Sequence, residues 1–287
     1  MKINILCNQD EVLTKGPGRR AKNLVTGFER LGIQYEIASR DYDYALGLQM
    51  GVVNEVYRNL PAYTPIGCNV MHNAGDHSGI AARFKNYVVQ SAWVADYWRW
   101  QHPELTHDFN FFIYPPACDI KAGYSEIAKD RHPNTDCLWY TKYQNDENKN
   151  RARQLFDDRK HSNIVLEYGQ YTMEDLMRAC ARARYCIYNS CCEKGSNALM
   201  EILACGVPVY VIDSPRWIGD DTFDKCSSAP YFDERCGIIG DMEGKGFSEF
   251  LDNVHRGTYD PHAFVAEGYT VEHTAKRVWT ILQECHP

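Results

Sequence analysis

Short β-branched and aromatic runs alternate along the chain with longer stretches whose apolar residues recur at helical spacing, the pattern of an α/β protein. In the first part, residues 2–7 predict a strand, 17–31 a helix, 34–38 a strand and 43–60 a further helix. Strands at 65–71, 87–90 and 109–114 follow, with a helix over 92–101. Periodicity then lapses over 119–135, where Gly123, Pro133 and Asn134 punctuate the chain, and this stretch reads as a linker. The pattern restarts with a strand at 136–140, a charged helix around 147–159 and a strand at 163–167. Thr172 and Asp175 form a capping-box variant that opens the next helix. A strand at 184–188, a helix at 196–204 and a strand at 207–212 come after it. Residues 236–240 predict the last strand, and 246–255 and 270–284 two terminal helices.

Two successive parallel-sheet units are therefore expected, an α/β fold built from two Rossmann-like domains. Residues 1–118 form the first and 136–268 the second, with 119–135 between them and 269–287 packing back on the first. Two such sheets facing across a cleft would bind ligands at the carboxyl ends of their strands, as open α/β sheets do.

Composition narrows the class. The chain of 287 residues is 44% hydrophobic and 24% charged, enough to build real cores. Its longest apolar run, residues 202–212, is interrupted by Gly206 and Pro208 and is too short to span a bilayer. The first residues read as a strand rather than a signal peptide. Of the twelve cysteines, Cys7, Cys180, Cys186 and Cys205 fall within expected strands and helices, and Cys191-Cys192 are adjacent rather than spaced as CxxC. A reduced, cytoplasmic setting follows, with no zinc ribbon. A net charge of −7 speaks against a nucleic-acid partner and leaves room for a small anion held by local donors.

The most informative string is Glu193-Lys194-Gly195-Ser196-Asn197-Ala198-Leu199-Met200-Glu201-Ile202-Leu203-Ala204-Cys205-Gly206-Val207-Pro208-Val209. A strand ends shortly before it, and Gly195, Ser196 and Asn197 open a helix whose first N–H groups lack internal acceptors, an anion site. Glu193 is expected before the helix and Glu201 two turns into it. A carboxylate beside bound phosphate repels it, so each glutamate must answer to a neutral, hydroxyl-rich part of the ligand. Read structurally, such glutamates merely complement the helix dipole, and Gly-x-Pro merely stops the helix.

The whole string resembles the E-x7-E signature of retaining GT-B glycosyltransferases, above all glycosyltransferase family 4. Ser196-Asn197 stand where that family has Phe-Gly, and Ile202-Leu203 where it has Ala-Met. Further similarities lie in Gly16-Pro17-Gly18-Arg19-Arg20, in Val70-Met71-His72, in Gln90-Ser91-Ala92-Trp93-Val94 and in Tyr114-Pro115-Pro116-Ala117-Cys118-Asp119. Tyr168-Gly169-Gln170-Tyr171 is placed like the family's loop over the nucleobase, and 267–274 is similar to its closing helix. The resemblance implies a nucleotide diphosphate sugar as donor, GDP-mannose first among the possibilities, and a carbohydrate or glycoconjugate acceptor. It implies retention without metal or other cofactor, and a homodimer is possible. Glu193 and His72 would be catalytic. Gly16, Arg19, Lys142, Lys149, Tyr168, Gly169, Tyr171, Gly195, Ser196, Asn197 and Glu201 would bind the donor, Glu201 through the ribose. The family's Arg and Lys, five residues apart, are replaced here by Lys142 and Glu147, with Lys149 the nearest further cation.

Other constellations compete. Gly16-Pro17-Gly18-Arg19-Arg20-Ala21 also fits GxGxxA, with Asp41 where a ribose-binding acid would stand, so an NAD-dependent oxidoreductase is an alternative. It follows its strand by too many residues for that fingerprint. A non-catalytic nucleotide-sugar-binding protein of the same fold is the other alternative, motivated by the altered cation pair. Asp41-Tyr42-Asp43 reads as solvated surface, and Trp93, Trp98 and Trp100 as helix packing.

Overall fold

In the computed structural model, strand and helix alternate to build two parallel sheets, described over residues 2–6, 16–37, 43–48, 60–67, 83–142, 152, 163–213 and 222–287. The chain divides into two compact units, Met1–Ala117 with Thr270–Pro287, and Cys118–Tyr269. The first runs β1 (Lys2–Leu6), α1 (Gly16–Leu31), β2 (Gln34–Ile37), β3 (Tyr44–Gly47) and β4 (Ile66–Gly67). It continues with β5 (Asn86–Val89), α2 (Ala92–Gln101), α3 (Pro103–Thr106) and β6 (Asn110–Ile113). Its sheet order is β2-β1-β3-β4-β5-β6.

The second unit runs α4 (Tyr124–Asp130), β7 (Thr135–Lys142), β8 (Asn163–Glu167), α5 (Met173–Arg182), β9 (Ala183–Ser190) and α6 (Asn197–Ala204). β10 (Val209–Ile212), β11 (Gly237–Gly240), α7 (Phe247–Arg256) and α8 (Pro261–Gly268) complete it. Its sheet order, β11-β10-β9-β7-β8, repeats the first unit's arrangement. In each, the first strand lies between the second and the third, the doubly wound order that reverses direction between strands one and three.

Burial explains why β9 sits centrally. Seven of its eight residues, all but Arg184, are buried, a near-continuous apolar run suited to a parallel strand covered on both faces. On one face Cys186 and Tyr188 join Leu138, Tyr140 and Val211 beneath α5, α6 and α8. On the other, Tyr185 and Ile187 join Trp139, Tyr210 and Ile212 beneath Phe247 and Phe250 of α7. Period-two alternation sends neighbouring side chains to opposite layers. The Thr172–Asp175 capping box that starts α5 is fully formed, with both reciprocal hydrogen bonds present.

Three sequence expectations change. Residues 43–60 were expected to be helical, yet Tyr44–Gly47 pairs with β1 as a strand. The Tyr44-Ala45-Leu46-Gly47 run is apolar throughout and buries its middle, as a sheet-interior strand does. The stretch 119–135, expected as linker, contains α4, whose buried Tyr124 packs into the second unit's core. A seven-residue helix of about two turns, apolar only at Tyr124, Ile127 and Ala128, is too short to register as periodicity. The 261–268 helix, not expected at all, opens with Pro261 behind an Asp260 cap. Of the acidic motif at 41–43, Asp43 accepts from the Lys2 N–H at 2.8 Å and so closes β1 against the start of β3; Asp41 and Tyr42 lie outside the described residues. Trp93 and Trp98 are buried as expected, whereas Trp100 is exposed. Every cysteine among the described residues is a buried free thiol. No described helix is long and apolar enough to cross a membrane.

The terminal helix α9 (Val271–Cys285) belongs to the first unit and lies against α1, sharing a core with β1 and β3. Gly27 makes that approach possible. A Cβ there would overlap the Val271 backbone carbonyl, which cannot yield, and come 2.7 Å from the Ala275 Cβ. Gly27→Ala should therefore cost about 1–3 kcal/mol, the usual toll of overpacking. Chemical denaturation reads it directly: a midpoint equal to that of the parent protein would mean the two helices are not held this closely.

Candidate functional site

The direction reversal in the second sheet lies between β7 and β9, and open α/β sheets bind ligands at that point, beyond the carboxyl ends of the strands. Thr141 and Lys142, the last residues of β7, pair with Asn189 and Ser190, the last of β9. Four polar residues thus end the β9-β7 pair beyond the apolar middle of both strands. The chain then turns through Cys191 and Cys192. Cys192 has φ +52°, the left-handed region that β-carbon-bearing residues avoid at a cost of about 1–3 kcal/mol. Such strain persists only where the surroundings hold it, and here it brings Glu193 back beneath the end of β9. The Glu193 N–H donates to the Ser227 carbonyl at 2.9 Å, fixing the returned segment.

Glu193 is 4% exposed. Its Oε1 accepts from Ser190 Oγ at 2.7 Å and from the Tyr188 hydroxyl at 2.9 Å. Its Oε2 accepts from Lys142 Nζ at 3.0 Å. Lys142 is itself largely covered, and its ammonium lies 4.8 Å from the ring centre of Tyr168, a cation–π distance. Tyr168 stands on a turn closed by Gln170 N–H donating to Glu167 O, with Gly169 at φ +83° where a side chain would be strained. Tyr171, beyond that turn, meets Tyr140 edge-on at 6.0 Å, and Tyr140 stacks on Tyr188 at 4.9 Å and 4°. Burial and the nearby Glu193 charge push the Tyr188 phenol well above its usual value, so it remains a hydrogen-bond donor.

Helix α6 begins beside this cluster. Ser196 is its cap: the Oγ accepts from the Leu199 N–H at 3.2 Å and lies 2.6 Å from the Tyr188 hydroxyl. The helix starts at Asn197, so Glu201 stands a little over one turn in rather than two. A helix start leaves the N–H groups of Asn197 and Ala198 without intrahelical acceptors, with the positive dipole end behind them. Every α6 residue after Asn197 is buried, Glu201 included. Gly206, at φ +73°, ends the helix, and the Arg131 guanidinium donates to its carbonyl.

Of the residues expected from sequence, Lys142, Tyr168, Gly169, Tyr171, Gly195, Ser196, Asn197, Glu193 and Glu201 lie in this unit, on the β7 end, the 168–171 turn and the 193–201 segment. Lys142, Tyr168, Glu193 and Ser196 are joined by the contacts just given. Gly16 and Arg19 lie in the first turn of α1 in the other unit, so the glycines of the GxGxxA string are helical rather than a loop. His72 and Lys149 lie outside the described residues. Tyr188, Ser190 and Tyr140 escaped the sequence reading; the polar ending of the 183–190 strand was the available signal. Among the described residues, no group of three or more His, Cys, Asp or Glu is placed to hold a metal ion.

No protein-family model and no curated protein matches the chain. Solved structures do. A lipopolysaccharide outer core galactosyltransferase in its apo form superposes with a TM-score of 0.59 at 12% identity, over 99% of each chain. Sucrose-phosphate synthase from Thermosynechococcus elongatus gives 0.52 at 10% identity, over 98% of this chain and 95% of that one. The catalytic domain of starch synthase IV from Arabidopsis thaliana, bound to ADP and acarbose, gives 0.50 at 10%, over 97% and 78%. The chain has the GT-B fold of these glycosyltransferases.

The ion pair can be weighed by removal. Lys142→Met leaves the Glu193 carboxylate buried without its cation and should destabilise the protein by about 3 kcal/mol at neutral pH. Adding Glu193→Gln should restore most of the loss, since no unmatched charge is then buried. Unfolding free energies of the two single variants, the double variant and the parent measure the coupling, and simple additivity would show that the pair is not a unit.

Proposed function

We propose that this chain is a glycosyltransferase that takes a nucleotide diphosphate sugar as donor, and that the donor binds at the carboxyl ends of β7 and β9. The observation that carries this reading is the buried Lys142–Glu193 pair set beside the start of α6 at the sheet's reversal point. A cation and a helix start suit a diphosphate, whereas the two buried carboxylates suit hydroxyl-rich groups. Starch synthase IV, which shares the fold, was bound to ADP and acarbose, which supports a ligand with a nucleoside diphosphate here.

In this proposal Lys142 leaves Glu193 for the diphosphate, with Lys149 as a further cation, and Glu193 Oε2 then accepts from hydroxyls of the donor hexose. Glu201 holds the ribose, and the Tyr168–Tyr171 turn, with Gly169 at its bend, lies over the nucleobase. As the glycosidic bond breaks, negative charge grows on the leaving phosphate. Lys142 and the N–H groups of Asn197 and Ala198 stabilise that charge more in the transition state than in the ground state, which is what accelerates the step. The acceptor attacks from the face the phosphate leaves, the phosphate takes its proton, and configuration is retained without a metal. GDP-mannose heads the donors, and the acceptor is a carbohydrate or glycoconjugate.

Calorimetry with GDP-mannose, UDP-glucose and UDP-N-acetylglucosamine tests the reading. One donor should bind, and Glu201→Gln should weaken it by about tenfold or more, the worth of a charged hydrogen bond. Glu193→Gln should instead cut turnover by about a hundredfold. NAD binding with no nucleotide-sugar binding would replace this reading by the oxidoreductase.

A second reading, a non-catalytic nucleotide-sugar-binding protein, is favoured by the same ion pair, because Lys142 is already engaged by Glu193. Donor binding with no hydrolysis and no transfer, even at high protein concentration, would select it.

A further inference from the structure

We propose that Tyr188 is a positioning residue for Glu193, its hydroxyl passing the polarity of the α6 start to the carboxylate through Ser196. The inference deepens the transferase reading and rests on it for the role of Glu193.

Hydrogen counting sets the direction. Glu193, paired with Lys142, is an anion and only accepts. The Tyr188 hydroxyl lies 2.9 Å from Glu193 Oε1 and 2.6 Å from Ser196 Oγ. It carries one proton, which goes to the carboxylate, so the bond to Ser196 is donated by the serine. Ser196 Oγ can give its proton away because its own acceptor site is served by the Leu199 N–H at 3.2 Å. The series therefore runs Leu199 N–H to Ser196, Ser196 O–H to Tyr188, Tyr188 O–H to Glu193, with every donor pointing at the carboxylate. Chains aligned in one sense polarise one another in a water-poor interior.

Tyr188 is also held rigidly. It is fully buried, on the central strand, with its ring stacked against Tyr140. A hydroxyl fixed in this way defines where Oε1 lies, while Oε2 is the oxygen that meets Lys142 and, in the transferase reading, the donor sugar. Ligand exchange at Oε2 thus leaves the anchoring at Oε1 intact. Among the described residues, titratable groups facing Glu193 besides Tyr188 include Lys142 and Tyr140 from β7 and Cys191 from the turn, with Cys192 against Cys191 and Tyr168 against Lys142.

Tyr188→Phe keeps the ring and removes only the hydroxyl. A donor to the ionised carboxyl lowers its pKa, so its loss should raise the Glu193 titration by about one pH unit or more. Carbon-detected NMR of full-length protein labelled at the glutamate carboxyls, with Glu193→Gln identifying the signal, reads this without any ligand. With the donor found by calorimetry, Tyr188→Phe should lower kcat about tenfold or more with little change in KM. The acid limb of its pH profile should move upward by the same amount as the titration. Ser196→Ala should shift the titration the same way but less, since Tyr188 then keeps its bond to Glu193 and loses only the bond behind it.

An unmoved Glu193 titration in Tyr188→Phe overturns the proposal, as does a moved titration with unchanged kcat and acid limb. If the parent protein turns over no nucleotide sugar, the transferase reading fails on its own, and the NMR titration alone still decides whether Tyr188 governs the carboxylate.

Discussion

A carboxylate taken out of water has to be matched by donors, and at Glu193 the second unit is organised around meeting that demand. Two hydroxyls and an ammonium converge on it from β7, from the end of β9 and from the strand residue five positions before it. The backbone reaches this position only through a left-handed residue at Cys192, a conformation a relaxed loop would avoid. Charge burial and backbone strain at one point, on the reversal of a parallel sheet, are what set this region apart from the surrounding core.

The sheet makes that convergence possible. Because β7 lies directly against β9, Lys142 falls opposite Ser190 although 48 residues of sequence separate them. Because β9 is central and covered on both faces, Tyr188 cannot move without disturbing the layer of Tyr140, Leu138 and α6. The rigidity of a packed core is thereby lent to a polar group at its edge, as a site needs if its geometry is to be held. The same core fixes α6 through Ser196, so the anion-attracting helix start and the carboxylate share one support.

The two units use equal means for different ends. In the first, the glycine at position 27 lets α9 lie against α1, tying the chain terminus to the β1–β3 core. In the second, polar residues at strand ends replace such packing with directed hydrogen bonds. Apolar packing sets the frame in both; only the second shows, among the described residues, a buried ion pair beside a helix start.

Local sequence determined much of this. The alternation of strand and helix, the Thr172 cap, the 92–101 helix and the Glu193-to-Val209 string were legible because periodicity, capping and turn chemistry act between residues a few positions apart. That string also located both glutamates and placed Glu193 ahead of the helix. Tertiary structure decided the rest. Whether Tyr44–Gly47 was strand or helix depended on β1 beside it, and whether 124–130 was linker or helix depended on the core that Tyr124 enters. That Lys142 meets Glu193 first, and that Tyr188 and Ser190 stand with them, follows from strand order, a pairing between distant segments that no local pattern encodes. Burial then turned those neighbours into obligatory partners.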